Sequence, residues 1–150
     1  MPCTKQKGDI TKVKADVIIN AANTELNHIG GVAQAISLAA GPALSEECKD
    51  QGFIPLGGYV ATTAGNLKAD IVIHIPTIDY QADGKIIGYD QLRSVWHDVL
   101  DYCEQEGFQS IAVPMLGAGA CGMDAKRIEI ILSNEAKKYS SLNVIIVVKG

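Results

Sequence analysis

ADVIINAANTELNHIGGV, residues 15–32, opens as a short apolar run and closes on paired glycines. Val17, Ile18 and Ile19 are consecutive β-branched residues, bounded by Asp16 on one side and by Asn23 and Thr24 on the other. A run this short, apolar on successive positions, reads as a strand buried on both faces. After Gly30 and Gly31 the period changes. Val32, Ala35, Ile36, Ala39, Ala40 and Leu44 fall at helical spacing, and Gly41-Pro42 bends or breaks that helix before Cys48.

The same alternation continues outward. Gly58 to Ala64 and Asp70 to Ile75 read as two strands joined through a Gly-Asn turn. Asp90 to Glu106 is an amphipathic helix with Leu92, Val95, Trp96, Val99, Leu100 and Cys103 on one face, stopping at Gly107. Ser110 to Met115 is a strand, Asp124 to Tyr139 a helix opening on a capping Asp, and Asn143 to Val148 a last buried strand. This order predicts an α/β fold, a three-layer α-β-α sandwich around a mixed, mostly parallel sheet. Ligands of such folds sit at the carboxyl ends of the strands.

Composition limits the function. At 150 residues the chain suits one domain, expected to span 1–150, and 47% apolar content fills its core. The net charge of −4 is scattered, with no basic cluster, which argues against duplex nucleic acid as a partner. Only 5% of residues are aromatic, so any base-stacking surface rests on few rings. Cys3, Cys48, Cys103 and Cys121 show no metal-ligand spacing with each other or with His28, His74 and His97, so no metal site is expected. Free thiols of an intracellular compartment, cytoplasmic or nuclear, are the expectation. The apolar runs are strand-sized, and no membrane span is expected.

Two loops at predicted strand ends are rich in glycine. The first runs from Asn20-Ala21-Ala22-Asn23 to Gly30-Gly31-Val32, where backbone N–H groups at a helix start can face a ligand. Its asparagines suit either a sugar hydroxyl or the loop's own backbone. The second is Leu116-Gly117-Ala118-Gly119-Ala120-Cys121-Gly122, formally G-x-G-x-x-G between a strand and a helix. A dinucleotide fold then needs an acidic residue about 20 positions on, at the next strand's end, and the chain offers Leu142, Asn143 and finally Lys149. A nicotinamide-dependent oxidoreductase is therefore the weaker alternative, whereas a phosphate-cradling loop passes the test.

Taken together, GDIT at 8–11, VIINAAN at 17–23, GGVAQAI at 30–36, AAGPALSEEC at 39–48, GGYVATTAGNL at 57–67, IVIHIP at 71–76 and IAVPMLGAGACG at 111–122 resemble the macrodomains, a family that binds ADP-ribose. The resemblance implies that Asp9 accepts a hydrogen bond from the adenine amino group, with the Ile10 backbone beside it. It implies that Asn23 holds the distal ribose while Asn20 and Ala21 belong to the same binding loop. Gly30, Gly31 and Val32 would line the diphosphate from one side, and Gly117, Ala118, Gly119, Ala120 and Cys121 from the other. The implied ligand is ADP-ribose, free or on mono-ADP-ribosylated protein, and no cofactor is implied. Read without the family, Asp9 also suits a turn or cap.

The chain departs from the pattern in places that bear on catalysis. Ile29 replaces the first of three glycines, and Ala33 replaces the Asp that follows Gly-Gly-Val in the clearest hydrolase branch. Cys121 stands where an aromatic is common. Asn23 and His28 are the candidates for any catalysis, His28 matching a histidine of another hydrolytic branch, although a surface loop is the commoner setting for such a residue. Weak removal of mono-ADP-ribose, or deacetylation of O-acetyl-ADP-ribose, is the enzymatic expectation beside plain binding. The family's usual final helix has no counterpart after the last strand, so an uncovered apolar face, and with it self-association or a fused partner domain, is expected.

Overall fold

In the computed structural model, which describes residues 3–119 and 121–150, the expected alternation forms one sheet with helices on both faces. In chain order the elements are β1 (Cys3–Gly8), a 3-10 turn (Ile10–Lys12), β2 (Val17–Asn23), α1 (Gly31–Ala40), α2 (Pro42–Gln51), β3 (Val60–Thr63) and β4 (Ile71–Asp79). There follow a second 3-10 turn (Tyr80–Ala82), β5 (Lys85–Ile86), α3 (Tyr89–Gln105), β6 (Ser110–Pro114), α4 (Ala125–Ala136) and β7 (Asn143–Lys149). The strand order is β1-β7-β6-β2-β4-β3, with β5 pairing to β4. β1, β7, β6, β2 and β4 pair in parallel, whereas β3 and β5 run antiparallel to β4. This is the three-layer α-β-α sandwich with a mixed, mostly parallel sheet.

β2 is central, which explains its unbroken apolar run. Side chains alternate across a strand, so Val17 and Ile19 enter one core and Ile18 and Ala22 the other. The first core packs the sheet against α3 and α4 through Trp96, Val99, Leu100, Ile128 and Leu132. Trp96 satisfies its one polar atom there, its indole N–H donating to the Leu132 carbonyl at 3.0 Å. The second core packs the opposite face against α1 and α2 through Ile36, Ala40, Leu44 and Cys48. Gly41, at φ 89°, closes α1 and starts α2, so the Gly-Pro pair breaks the helix rather than bending it.

The structure adds elements the pattern did not predict. CTKQKG forms β1 without an apolar run, as an edge strand held by parallel pairing to β7. β4 continues past Pro76 to Asp79, and its pairing with β2 shifts register between Ala22 and Asn23. On β7, Val147 is buried and Ile145 and Val148 are half-buried. Among the described residues no helix is long and apolar enough to cross a membrane.

Candidate functional site

Three polypeptide turns leave the carboxyl ends of parallel strands on one edge of the sheet. Asp9 follows β1, the first glycine loop follows β2, and the second follows β6. β6 and β2 are neighbours, so their loops stand side by side. β1 lies three strand spacings from β2, roughly 14 Å.

Asp9 caps the first 3-10 turn. Its Oδ1 accepts from the Thr11 amide at 3.0 Å and the Thr11 hydroxyl at 2.7 Å. These two bonds hold its carboxyl below the usual carboxylate range. The residue is exposed, the second carboxylate oxygen remains open, and Ile10 beside it is buried. The cap and the open oxygen coexist, so the turn reading and the ligand reading do not compete for the same atom.

The first loop is knitted by side chains. Asn23 Oδ1 accepts from the Glu25 amide at 2.9 Å, and its Nδ2 donates to Asn27 Oδ1 at 2.6 Å. Thr24 donates its hydroxyl to Asp79 Oδ1, and its carbonyl accepts from the Ile54 amide. The chain then passes through left-handed backbone at Leu26, His28, Gly30 and Gly31. Gly30 is the N-cap of α1 and supplies no side-chain cap, so the first N–H groups of the helix, those of Gly31, Val32 and Ala33, face the site without a capping acceptor. Nothing stands within 4 Å of a Cβ built on Gly30 or Gly31, so the approach is open. Ala21 and Val32 are half-buried, and Ala33 is buried.

Asn20 lies below this loop, fully buried beside His74, its register partner on β4. Asn20 Nδ2 meets His74 Nδ1 at 2.9 Å, and His74 Nε2 meets the Thr62 hydroxyl at 2.8 Å and Cys48 Sγ at 3.5 Å. Burial, reinforced by the neighbouring His28, lowers the His74 pKa to about 3, so its ring is neutral at physiological pH. Burial also raises the Cys48 thiol to about 11, with help from Glu47, which makes it an inert packing group. His28 is not the surface residue expected. Its ring centroid lies 5.6 Å from that of His74, and burial lowers its pKa. Both its ring nitrogens, like Asn20 Oδ1, are shielded from solvent without a partner among the described residues.

The second loop is held by its own backbone. Ala118 N–H donates to the Met115 carbonyl, Gly122 N–H to Gly119 and Met123 N–H to Gly117, at 2.9–3.0 Å. Gly117 and Gly122 take left-handed backbone at φ 79° and 70°. Among the described residues no acceptor meets the Gly117 or Gly119 N–H, which leaves these donors for an anion. Ala120 lies outside the described residues. Cys121, half-buried, rests its sulfur 3.6 Å from the Thr77 hydroxyl. Thr77 in turn donates to the Ala22 carbonyl at 3.4 Å, which ties the second loop to the strand beneath the first. Asp124 caps α4 through the Lys126 amide, as the sequence predicts. Its own N–H donates to the Tyr89 hydroxyl, and Arg127 stacks over the Tyr89 ring.

His74, Thr62 and Thr77 are the residues that sequence reasoning missed, and only the motif IVIHIP hinted at the first. A surface groove lined by Lys14, Asp16, Lys68, Asp70 and Ser110 opens at the amino ends of β2, β4 and β6. It is remote from both glycine loops, and its charged side chains are exposed or half-buried rather than convergent. Among the described residues no cluster of His, Cys, Asp and Glu is arranged to hold a metal.

The chain is similar to known proteins in sequence and in fold. A family model described as Macro domain matches residues 19–132. A macro domain-containing protein of Listeria monocytogenes is 40% identical over 130 residues, covering 84% of this chain and 73% of the relative. The Oceanobacillus iheyensis macrodomain with ADP superposes at a TM-score of 0.86 and 25% identity, over 99% of this chain and 83% of that one. The Trypanosoma brucei macrodomain in complex with ADP-ribose gives a TM-score of 0.84 at 25% identity, over 99% of this chain and 63% of that one.

Proposed function

The chain belongs to the macro domain family, and from that premise we propose that it binds ADP-ribose, free or carried as a mono-ADP-ribosyl group on protein. The observation that carries the reading is the placement of Asp9 and two glycine loops at the carboxyl ends of parallel strands, on one end of a mostly parallel sheet. Solved structures of similar fold hold ADP and ADP-ribose. Asp9, with the Ile10 backbone, selects adenine. The N–H groups of Gly31 and Val32 on one side, and of Gly117 and Gly119 on the other, hold the diphosphate, with Ala118 and Cys121 completing that wall. A doubly charged group held by N–H donors at a helix start needs no Arg. Asn23, with Asn20 and Ala21 beneath it, orients the distal ribose. The ligand is itself the bound species, so the reading calls for no cofactor, and the four free thiols suit a reducing intracellular setting. A nicotinamide oxidoreductase is not favoured, since the relatives and the missing ribose carboxylate both speak against it.

Hydrolysis is expected to be slow. Ala33 has no group to orient water, and it is buried, so the wall of the site is apolar at this point. His28, the other candidate, keeps its ring against His74. Activity toward mono-ADP-ribosylated protein or O-acetyl-ADP-ribose should therefore depend on substrate positioning by Asn23, and Asn23→Ala should reduce whatever turnover a gel assay detects.

Calorimetry tests the binding directly. ADP-ribose should bind at micromolar strength or better, with NAD and ATP weaker. Asp9→Ala should weaken ADP-ribose by about 1–3 kcal/mol, the range for removing a charged hydrogen-bond partner. Undetectable binding by a folded sample would overturn the proposal, and unchanged affinity in Asp9→Ala would reduce Asp9 to its cap.

A further inference from the structure

We propose that His74, too deep to reach a ligand, is a positioning residue that sets the first loop by fixing the Asn20 amide from below and supporting the His28 ring. The inference rests on the reading of that loop as the holder of the distal ribose.

The relay beneath the first loop ends at Thr62, on β3. Its hydroxyl donates to the Thr63 carbonyl at 3.1 Å, so its oxygen is left as an acceptor for His74 Nε2–H at 2.8 Å. With the proton on Nε2, the Nδ1 lone pair accepts from Asn20 Nδ2 at 2.9 Å. One direction runs through the whole relay, from Asn20 to His74 to Thr62 to the β3 backbone, and it allows only one tautomer and one amide orientation. Asn20 must therefore present Oδ1 as its unpaired atom, and that atom is the one found without a partner.

The rest of the pocket keeps the relay neutral. His28 from the first loop and Cys48 from α2 are the titratable groups packed against His74, and burial disfavours the charged form of each. Thr62 and Asn20, from β3 and β2, are uncharged. Among the described residues no carboxylate bonds to the ring. His28 lies over it in left-handed backbone at φ 56°, with neither nitrogen paired among the described residues. Strained backbone and unpaired buried polar atoms persist only where the surroundings impose them, and they concentrate at ligand sites. The group packed against the His28 ring here is the ring of His74. Its loss would release Asn20 and His28 together, on either side of Asn23 in sequence, and leave the second loop in place.

Nitrogen-15 spectra of the full chain test the tautomer. The His74 ring should appear as neutral Nε2–H, unchanged from pH 8 to pH 5, and an Nδ1–H form or titration in that range would overturn the proposal. Thr62→Val removes the hydroxyl that accepts from His74 and donates to the Thr63 carbonyl, and it should shift the backbone amides of residues 23–31 while those of 117–119 and 121–124 stay. Equal shifts in both loops, or none in the first, would overturn it. With ligand, Thr62→Val and His74→Phe should weaken ADP-ribose about tenfold and ADP, which lacks the distal ribose, less than twofold, with partial rescue in His74→Asn. Equal loss for both ligands would mean a structural role alone. Failure of the wild type to bind ADP-ribose would instead refute the proposed function, and the tautomer and amide shifts would still decide the role of His74.

Discussion

The loop after β2 and the loop after β6 leave the same end of the sheet from neighbouring strands but are built from different chemistry. In the first, Asn23, Thr24 and Asn27 tie the chain through side-chain hydrogen bonds, and a buried polar relay lies underneath. In the second, backbone bonds close the turns and its described side chains add only the contacts of the Cys121 sulfur to Thr77. A side-chain scaffold can orient a sugar hydroxyl, which demands a particular donor or acceptor direction. A backbone scaffold offers an array of N–H groups, which suits an anion of several equivalent oxygens. Both loops therefore offer N–H groups to the diphosphate, and the first alone adds a side-chain scaffold suited to selecting the distal ribose.

The largest expected effect breaks the second loop. Gly117 combines left-handed backbone with a Cβ position already occupied by the Met123 side chain. Gly117→Val should lower ADP-ribose affinity by about a hundredfold or more, because β-branched residues are genuine outliers at positive φ. Gly31→Ala meets open space, so only the backbone conformation opposes it, at about 1–2 kcal/mol. Comparable losses in the two variants, measured by calorimetry on folded samples, would show that the loops are not built differently.

Acid should act on the first loop before the second. His28 and His74 both have pKa values lowered by burial, so the unfolded chain binds protons near pH 6.5 that the folded chain refuses. Their contribution is complete above pH 6.5 and is lost as pH falls toward the folded values, about 3 for His74, by up to about 1.4 kcal/mol per pH unit for each group. Urea unfolding from pH 8 to pH 4 should show flat stability followed by decline below about 6.5. Constant stability across that range would contradict the buried relay.

The smallest effect sharpens the assignment of Asn23. Its amide is engaged by Glu25 and Asn27, and Asn27 is exposed. If a ligand hydroxyl replaces Asn27 as partner, Asn27→Ala should change ADP-ribose affinity by less than about twofold, since exposed surface changes cost little. A loss matching that of Asn23→Ala would make Asn27 part of the site.

Much of this was legible in the sequence, for identifiable reasons. β2, β4, β6 and β7 are buried on both faces and carry apolar runs, and each glycine loop is punctuated by residues that only a special backbone requires. β1 was invisible because an edge strand of Thr, Lys and Gln needs no apolar side chain where β7 supplies the pairing. The Asp124 cap was readable because its partner lies two residues away. The relay was not: Asn20 and His74 are separated by 54 positions, and His74 and Thr62 by 12. A histidine inside an apolar strand announces burial but not its partners. The inward turn of His28 was hidden for the same reason, since loop sequence favours solvent and only tertiary packing places its ring on His74.

The most direct test of the divided site is an amide proton–nitrogen titration of the full chain with ADP-ribose and, separately, with ADP. ADP-ribose should move the backbone signals of Gly31, Val32, Gly117 and Gly119 together with the Asn20 and Asn23 side-chain amides. ADP should move the same backbone signals and leave the side-chain amides nearly unchanged. Side-chain amides that respond equally to both ligands, or backbone signals of either loop that respond to neither, would contradict the account.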